Sequence, residues 1–277
     1  MTVRARLSPA IACLLMLLLF TGAPLGAAPP AESWSFWDVS DESSAAVVDH
    51  GPWQVFLNKY LSADEDGINR VAYGAVSNED RAALNDYLQN LASRDPRQLR
   101  RAEQFAYWVN LYNGLTVEVV LRNAEKATIR RMGKRLFSIG PWDDALIAVA
   151  GQALSLNDIE HRILRPIWRE RRIHYAVNCA SLGCPSLADR AYAAANTERL
   201  LAAGEMDYIN HPRGVSFDSR GRLTLSELYQ WYRQDFASDE KALLDYLADH
   251  HQRLGPELRG YQGRIRYDYN WSLNRVE

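Results

Sequence analysis

The residues best suited to chemistry lie in the stretch IHYAVNCASLGCPSL, which spans residues 173–187. It contains His174, Cys179 and Cys184, and both cysteines lie outside the apolar N-terminal run. Catalysis by a thiol needs a thiolate, a base that takes or shares its proton, and hydrogen-bond donors for a developing oxyanion. Cys179 stands where an apolar run gives way to a loop, a frequent place for exposed functional side chains. We therefore take Cys179 as the candidate nucleophile.

Two histidines are candidate bases for that thiol. The run IHYAV predicts a short strand, and an odd separation along a strand places His174 and Cys179 on opposite faces. His161 lies on a helix predicted over residues 157–165, about 200° from its apolar stripe at about 100° per residue. It then faces a cleft or water, so the pattern favours His161, with His174 as the alternative if the chain turns early. Glu160 is a candidate orienting carboxylate; otherwise it and its neighbour are ordinary polar helix residues.

Other roles compete for Cys179. A disulfide to Cys184 needs the two Cα atoms about 4.4–6.8 Å apart, and Gly183 makes such a turn feasible. That bridge removes the nucleophile. A zinc site is less favoured, because four residues separate His174, Cys179 and Cys184 in turn, which exceeds the usual two-residue clasp. The remaining role is an ordinary buried thiol. We expect no metal and no cofactor.

Two asparagines are candidate substrate-binding residues. Asn110 and Asn113 share one face of a strongly apolar helix predicted over residues 102–121. Amides in such a helix either bond to buried partners or line a cleft. Ser181 is the third candidate, because backbone N–H groups near Ala180 and Ser181 are expected to bind an oxyanion.

The N-terminus predicts export. Arg4 and Arg6 precede an apolar run of about ten residues, and small residues follow, so residues 1–27 are expected to be a cleaved signal peptide. That run is too short for a bilayer, which needs about twenty residues. Since residues 1–27 hold two arginines and no acid, cleavage lowers the net charge from −2 to −4. We expect a periplasmic or secreted protein with no membrane span after cleavage and no nucleic-acid partner. Its ligand is expected to be a small molecule, a peptide or another envelope component.

Helical periodicity dominates the first half of the chain, and short alternating segments appear later. ALIAVAGQALSL and GVSFDSRGRLTLSEL predict hairpins, GRIRYDYNWSLN predicts a final strand, and residues 188–210 and 225–248 are predicted helices. This order predicts an α+β fold, a helical N-terminal half packed with short antiparallel strands and hairpins around a single core. We expect one domain over residues 51–277, preceded by a polar tether at 28–50. Three aromatic residues of the tether are expected to dock on the domain: Trp34, Phe36 and Trp37.

Five stretches of the chain resemble a known family. They are, in order, FAYWVNLYNGLTVEVVL, LSLNDIEHRILRP, RRIHYAVNCASLGCPSL, TLSELYQWYRQDF and YDYNWSLN. Together they resemble the family called domain of unknown function 547 over about residues 50–277. The resemblance implies that six residues occupy polar motif positions of that family: Asn110, Asn113, Glu160, His161, His174 and Cys179. It implies less for Cys184, which weakens the case for an obligatory disulfide.

Two functions remain open. One is an exported cysteine-dependent hydrolase or acyl transferase that acts on an envelope peptide or amide, with Cys179 as nucleophile and His161 or His174 as base. Asn113 or Glu160 would orient the imidazole. A Cys, His and amide set is similar, by analogy, to that of papain-like or transglutaminase-like thiol enzymes. The other function is a non-catalytic periplasmic binding module whose motif residues build a groove for a peptide or a glycan.

Overall fold

The computed structural model describes residues 28–134 and 139–276, so the predicted signal peptide lies outside the described residues. The α-helices are α1 (Gly51–Tyr60), α2 (Asn78–Ala92), α3 (Arg101–Arg122), α4 (Arg165–Trp168), α5 (Ile173–Ala176), α6 (Thr197–Asn210), α7 (Glu227–Trp231), α8 (Arg233–Phe236), α9 (Glu240–His250) and α10 (Gly255–Arg259). The strands are β1 (Leu61–Ala63), β2 (Asn69–Val71), β3 (Ile147–Val149), β4 (Gln152–Leu154), β5 (Val215–Phe217), β6 (Leu223–Ser226) and β7 (Arg266–Asp268). Short 3-10 turns occur at Ser35–Trp37, Tyr73–Ala75, Pro96–Gln98 and Ile129–Arg131, and Asp158–Leu164 is a π-helix. The order confirms the α+β class.

α3 is the central element of the fold. Every residue from Glu103 to Leu121 is buried, which confirms the helix predicted over residues 102–121. A helix that is apolar on nearly every side must be covered on every side. Helix α2 and the π-helix both pack against α3. It is therefore a rigid support for Asn110 and Asn113, which it carries.

The strands form three small sheets. β1–β2, β3–β4 and β5–β6 are antiparallel hairpins, and the two hairpins predicted from the sequence are confirmed. In the β3–β4 turn, Ala150 and Gly151 have φ values of 45° and 78°, as a type I′ turn requires. β7 pairs with β6 in parallel, unlike the antiparallel pairing predicted. A parallel pair needs a long crossover, which the helices from α7 to α10 supply.

The segment before the cysteine loop differs from its prediction. IHYAV is not a strand, because Ile173–Ala176 forms the single helical turn α5. Arg169 ends α4 with a left-handed φ of 50°, and the Glu170 carboxylate then accepts a backbone N–H two residues on at 3.0 Å. This bond closes a turn just before α5, and a helical turn follows where apolar periodicity favoured a strand. The alternation that placed His174 and Cys179 on opposite faces is therefore wrong.

Two predicted helices are shorter than expected. The helix predicted over 188–210 starts only with α6, because the backbone of Tyr192 bonds instead to the side chain of Asn110. The helix predicted over 225–248 is divided into α7, α8 and α9. Strand β6 continues through Ser226, whose hydroxyl accepts a backbone N–H of α7 at 3.1 Å and so begins the helix late.

Residues 28–50 run along the surface of the domain. Trp37 is 2% exposed, and its ring meets that of Trp108 edge-on at a centroid distance of 5.0 Å. Trp34 and Phe36 are partly buried against the same apolar cluster. The docking predicted for these three aromatic residues is confirmed.

The same segment bonds to the π-helix. The backbone N–H groups of Glu32 and Trp34 donate to the carbonyls of His161 at 3.1 Å and Arg162 at 3.0 Å. Pro166 has no N–H to pair with the preceding turn, which accounts for one carbonyl that needs an outside partner. Alternate residues of an extended chain supply the missing donors.

Buried apolar side chains form two adjoining clusters where a single core was expected. One surrounds α3, and the other lies among α6, β6, α7 and α9. Within α5, Ile173 and Ala176 belong to the first cluster and Tyr175 to the second. The turn that leads to Cys179 is therefore fixed by both.

Candidate functional site

Cys179 lies in the loop after α5 and is partly exposed. Its Sγ is 3.1 Å from Ser181 Oγ and 3.1 Å from the Tyr269 hydroxyl, and these two hydroxyls are 3.0 Å apart. The backbone N–H of Cys179 donates to Cys184 Sγ at 3.0 Å, and both cysteines are free thiols. We call Cys179, Ser181, Cys184 and Tyr269 the thiol cluster.

Hydrogen bonds lower the pKa of the Cys179 thiol below its ordinary value. The thiol of Cys184 contributes most, and the hydroxyls of Ser181 and Tyr269 add to it against the opposing effect of burial. Burial raises the pKa of Cys184 and of Tyr269 well above their ordinary values. Cys184 and Tyr269 therefore keep their protons, and Cys179 is the member of the thiol cluster that ionises most readily.

The C-terminal segment 270–274 holds the cysteine loop in place. Three backbone hydrogen bonds join them: Leu182 N–H to Ser272 O at 2.8 Å, Gly183 N–H to Asn270 O at 2.8 Å, and Asn274 N–H to Ala180 O at 3.1 Å. A Cβ on Gly183 would lie 2.8 Å from the backbone nitrogen of Asn270, so only glycine permits this approach. The final strand predicted from the sequence is thus formed at β7 only, and its remainder pairs with the loop.

Side-chain amides fix the backbone on both sides of the thiol. Asn113 donates to Ala176 O at 2.9 Å and accepts the N–H of Asn178 at 2.8 Å. The amide of Asn178 in turn donates to Pro185 O at 2.7 Å and accepts the N–H of Ala180 at 2.8 Å. Asn113 therefore positions the loop through its backbone.

These bonds limit the expected oxyanion donors. The N–H of Ala180 already bonds to Asn178, so it does not face the thiol. The N–H of Ser181 does face the sulfur, where it helps to lower the pKa of Cys179. Ser181 is therefore the better placed of the two expected donors.

A second polar group is built around His174. Its Nε2 is 2.8 Å from Asp235 Oδ2, and its Nδ1 is 3.5 Å from Glu160 Oε1. Arg165 donates to Asp235 through Nε at 2.6 Å and Nη2 at 3.1 Å. His161 completes the group, since its Nδ1 is 3.0 Å from Arg165 Nη1. We call these five residues the carboxylate–imidazole cluster.

His161 does not face a cleft or water. It is 3% exposed, because the N-terminal segment and Tyr232 cover it and because a π-helix does not follow the spacing of an α-helix. Burial lowers the pKa of His161 to about 4, so its imidazole is neutral at neutral pH. Its Nδ1 is engaged by the Arg165 guanidinium.

The two carboxylates of the cluster are ionised. Burial raises the pKa of Glu160, but the charge that His161 gains in acid and the nearby imidazole of His174 outweigh it and lower the pKa to about 2. Burial likewise opposes ionisation of Asp235, while hydrogen bonds from His174 and Arg165 hold its pKa well below the ordinary value. Glu160 Oε1 is closer to His174 than to His161, at 3.5 Å against 4.0 Å. The carboxylate thus orients His174 more directly.

Within the described residues, neither imidazole is hydrogen-bonded to the thiol of Cys179. Tyr112 and Tyr232 link the two clusters electrostatically: burial raises both pKa values, and the charges of Glu160 and Cys179 raise them further. The Tyr112 hydroxyl also donates to Glu160 Oε2 at 3.1 Å. The structure therefore separates the predicted residues into two groups: Glu160, His161 and His174 in one, Cys179 and Ser181 in the other.

Sequence reasoning missed Tyr269 and Asp235. They lie 90 and 61 residues from Cys179 and His174, the partners they contact. Both occur in stretches that carry the family resemblance, YDYNWSLN and TLSELYQWYRQDF, which was the available signal. No local spacing could have linked them to the cysteine loop.

Partly exposed aromatic rings continue outward from the thiol cluster. The Tyr269 ring lies 4.8 Å from that of Trp231 and 4.6 Å from that of Trp271, and Trp142 lies 5.9 Å from Trp271. The guanidinium of Arg130 is 5.1 Å from the centre of the Trp271 ring. The thiol thus has a group of mutually tilted aromatic rings beside it.

Among residues 28–134 and 139–276, no three His, Cys, Asp or Glu side chains are grouped closely enough to hold a metal ion. In that same part of the chain, every helix is too short or too polar to cross a bilayer.

Comparison with known proteins identifies one family. Residues 96–209 match the model of the family described as "Protein of unknown function, DUF547". The match includes all six positions implied by the resemblance, and it ends before Asp235 and Tyr269. None of the curated proteins and none of the solved structures matches the chain.

Proposed function

Because residues 96–209 match the DUF547 family model, we propose that the polar positions of this region serve thiol chemistry. The protein is an exported cysteine-dependent hydrolase or acyl transferase that acts on an envelope peptide or amide. The state of Cys179 carries the proposal: the thiol is partly exposed, and hydrogen bonds lower its pKa. Buried structural cysteines are inert, whereas low-pKa accessible ones react.

The reaction follows from the atoms around the sulfur. The Cys179 thiolate attacks the carbonyl carbon of an amide, and the π electron pair moves to oxygen, which the Ser181 N–H stabilises. Collapse of this intermediate breaks the C–N bond, and the leaving amine takes a proton from the Tyr269 hydroxyl. Water then returns a proton to Tyr269. The resulting thioester transfers its acyl group to water in a hydrolase or to an amine in an acyl transferase.

The histidines take a different role from the one expected. His161 and His174 are engaged by Arg165, Asp235 and Glu160, and the thiolate is stabilised by hydroxyl and thiol donors instead. In the proposal, the carboxylate–imidazole cluster anchors α5 and thereby the loop that follows it.

A binding module is the second candidate function. It is favoured by the internal hydrogen bonds of His161 and His174, which leave no imidazole base bonded to the thiol. In that case the partly exposed rings of Trp231 and Trp271 would form one wall of a groove for a peptide or a glycan.

The pH dependence of alkylation separates the two functions. For the enzyme, Cys179 should alkylate with a midpoint below the ordinary thiol pKa of about 8.5. Tyr269→Phe removes a donor and should raise that midpoint, whereas Tyr267→Phe, on β7, is the matched control and should not. A wild-type midpoint at or above the ordinary value would replace the enzyme with the binding module.

Covalent turnover gives an independent test. Incubation with an activated ester should acylate Cys179 in the native protein, detected as a mass increase of one acyl group on the peptide that contains it. Cys179→Ser should abolish this adduct while the thermal melt stays close to that of the wild type. An adduct confined to lysines would count against the nucleophile.

Export is tested on the native protein. Its N-terminus should lie near Ala28, and it should fractionate outside the cytoplasm. Recovery of the residues from Met1 to Arg6 by N-terminal sequencing of that protein would contradict the signal peptide.

A further inference from the structure

We propose that Cys179 and Cys184 form a redox modification site, in which peroxide oxidises Cys179 and Cys184 resolves the product into a reversible disulfide. The inference rests on the proposed function for its consequence only, because the bridge would switch off the nucleophile. The formation of the bridge itself depends on the contacts of the two sulfurs.

A contact between Cys184 and the backbone of Cys179 shows that the two cysteines lie close together. Cys184 Sγ lies 3.0 Å from the backbone nitrogen of Cys179, so the resolving sulfur is already in contact with the residue that it would bridge. A turn closed by the N–H of Cys184 and the carbonyl of Ser181 at 3.1 Å brings the two residues together. Four residues, 180–183, are enclosed, and Gly183 lets that short loop approach the C-terminal segment closely.

The two sulfurs are unequal, as a peroxide-reactive and a resolving thiol must be. Cys179 is partly exposed, so an oxidant in solution reaches it first. Cys184 is 4% exposed and protonated, so it is shielded from direct oxidation while it lies against its partner. The second polar contact of Cys184 Sγ is the carbonyl of Val177, at 3.8 Å.

The chemistry balances with hydrogen peroxide as the oxidant. The Cys179 thiolate attacks one peroxide oxygen, the O–O bond breaks, and hydroxide leaves, so that Cys179 becomes a sulfenic acid. The sulfur of Cys184 then attacks the sulfenic sulfur. The S–O bond breaks, and the hydroxyl leaves with the thiol proton of Cys184 as water. Two electrons pass from the thiols to one peroxide molecule.

The surrounding backbone tolerates this change. The bonds that join the loop to residues 270–274 are all between backbone atoms, so none of them depends on either thiol. The bonds lost are those from Cys179 Sγ to Ser181 and Tyr269 and the one that the Cys184 thiol donates to Val177 O. Forming the bridge therefore requires side-chain rotation within a loop whose path is already fixed.

Peroxide titration of the full chain, followed by proteolysis and mass spectrometry, tests the site. The expected product is a peptide pair, or one peptide, that carries a link between 179 and 184 and is about 2 Da lighter than the reduced form. A thiol reductant should restore alkylation of Cys179. Peptide mapping separates this link from any that involves Cys13.

The variant Cys184→Ser distinguishes a resolving thiol from a bystander. Without the Cys184 thiol, peroxide should oxidise Cys179 to the sulfinic acid, which is about 32 Da heavier and is not reversed by the reductant. Two outcomes would overturn the proposal: no 179–184 link at any peroxide dose, or a link that reductant opens only in unfolded protein. Neither outcome depends on substrate. A link that forms in a protein that cannot be acylated would refute the proposed function and leave the redox site standing.

Discussion

At the scale of single residues, Asn110 and Asn113 do similar work for different parts of the chain. Both are buried on α3, and each bonds one backbone N–H and one backbone C=O. Asn110 holds Tyr192, far along the chain from the thiol, and Asn113 holds the two residues that bracket Val177. Identical chemistry on one helix face thus has unequal consequences for Cys179.

This difference predicts a matched pair of variants. Asn110→Ala and Asn113→Ala should each lower the free energy of unfolding by about 1–3 kcal/mol, because each leaves buried backbone groups unpaired. Urea titration measures that loss. Only Asn113→Ala should also slow the alkylation of Cys179 at neutral pH, when both rates are compared in fully folded protein. Equal alkylation rates for the two variants would show that Asn113 does not position the thiol.

Residue types were predictable from the sequence, and their partners were not. The spacing of Cys179 after an apolar run indicated a functional loop, and the apolar helix indicated that its amides have special roles. The donors that set the thiol pKa come from Tyr269 and from the loop itself, and only the folded chain brings them together. His161 was placed by an α-helical wheel that the π-helix does not follow.

At the scale of elements, the N-terminal segment and the π-helix depend on each other. Pro166 removes one N–H donor from this turn, and residues 32 and 34 donate to the carbonyls of His161 and Arg162. The aromatic residues that follow bury themselves nearby, and Trp37 is covered almost completely. The segment therefore behaves as part of the domain rather than as a flexible linker.

A truncated side chain tests this attachment. Trp37→Ala should lower the free energy of unfolding by about 3–5 kcal/mol, as expected for loss of a large buried aromatic. Val39, 50% exposed, provides the control, since Val39→Ala should change stability by no more than about 0.5 kcal/mol. Chemical denaturation of both variants supplies the measurement. A small effect at Trp37 would mean that the segment is only loosely attached.

Element types were predictable where local signals and burial agree. The helix α3 and the two hairpins fall in this group, since apolar pattern and turn residues favour the same structure. α5 is not in this group, because a turn closed by the Glu170 carboxylate competes with a strand-like apolar run. Segment 188–196 was also not predictable, because hydrogen bonds to the side chain of Asn110 replace helical ones. Neither kind of competing hydrogen bond changes the apolar periodicity from which helices and strands were predicted.

At the scale of the whole molecule, buried histidines make stability depend on pH. Burial lowers the pKa values of His50 and His161 to about 4 in the folded protein, whereas unfolded histidine titrates near pH 6.5. As pH falls through 6.5, the histidines of the unfolded chain bind protons, whereas the same histidines in the native state do not. Stability is therefore complete above about pH 6.5 and is lost between there and pH 4, by about 3 kcal/mol for each histidine.

Unfolding in urea between pH 7.5 and 4.5 measures this loss. His161→Asn and His50→Asn should each flatten the slope of stability against pH by less than half, because burial also lowers the pKa of His251, whatever their stability at pH 7.5. Glu160, whose folded pKa is about 2, adds a further loss only below about pH 4.3, where unfolded glutamate takes up a proton. Slopes that equal the wild-type slope in both variants would exclude these histidines as the cause.

The pairing of the cysteine loop with residues 269–274 also orders events during biosynthesis. Ribosomes make the loop first, and some 90 residues must be added before Tyr269 exists to donate to the sulfur. A nascent chain that stops at residue 268 carries Cys179 but lacks both that hydroxyl and the three backbone bonds that hold the loop. Incomplete chains therefore lack part of the hydrogen bonding that lowers the pKa of Cys179, and the loop is fixed by these bonds only when synthesis is nearly finished. The rate of translation therefore determines when Cys179 gains its hydrogen bond to Tyr269.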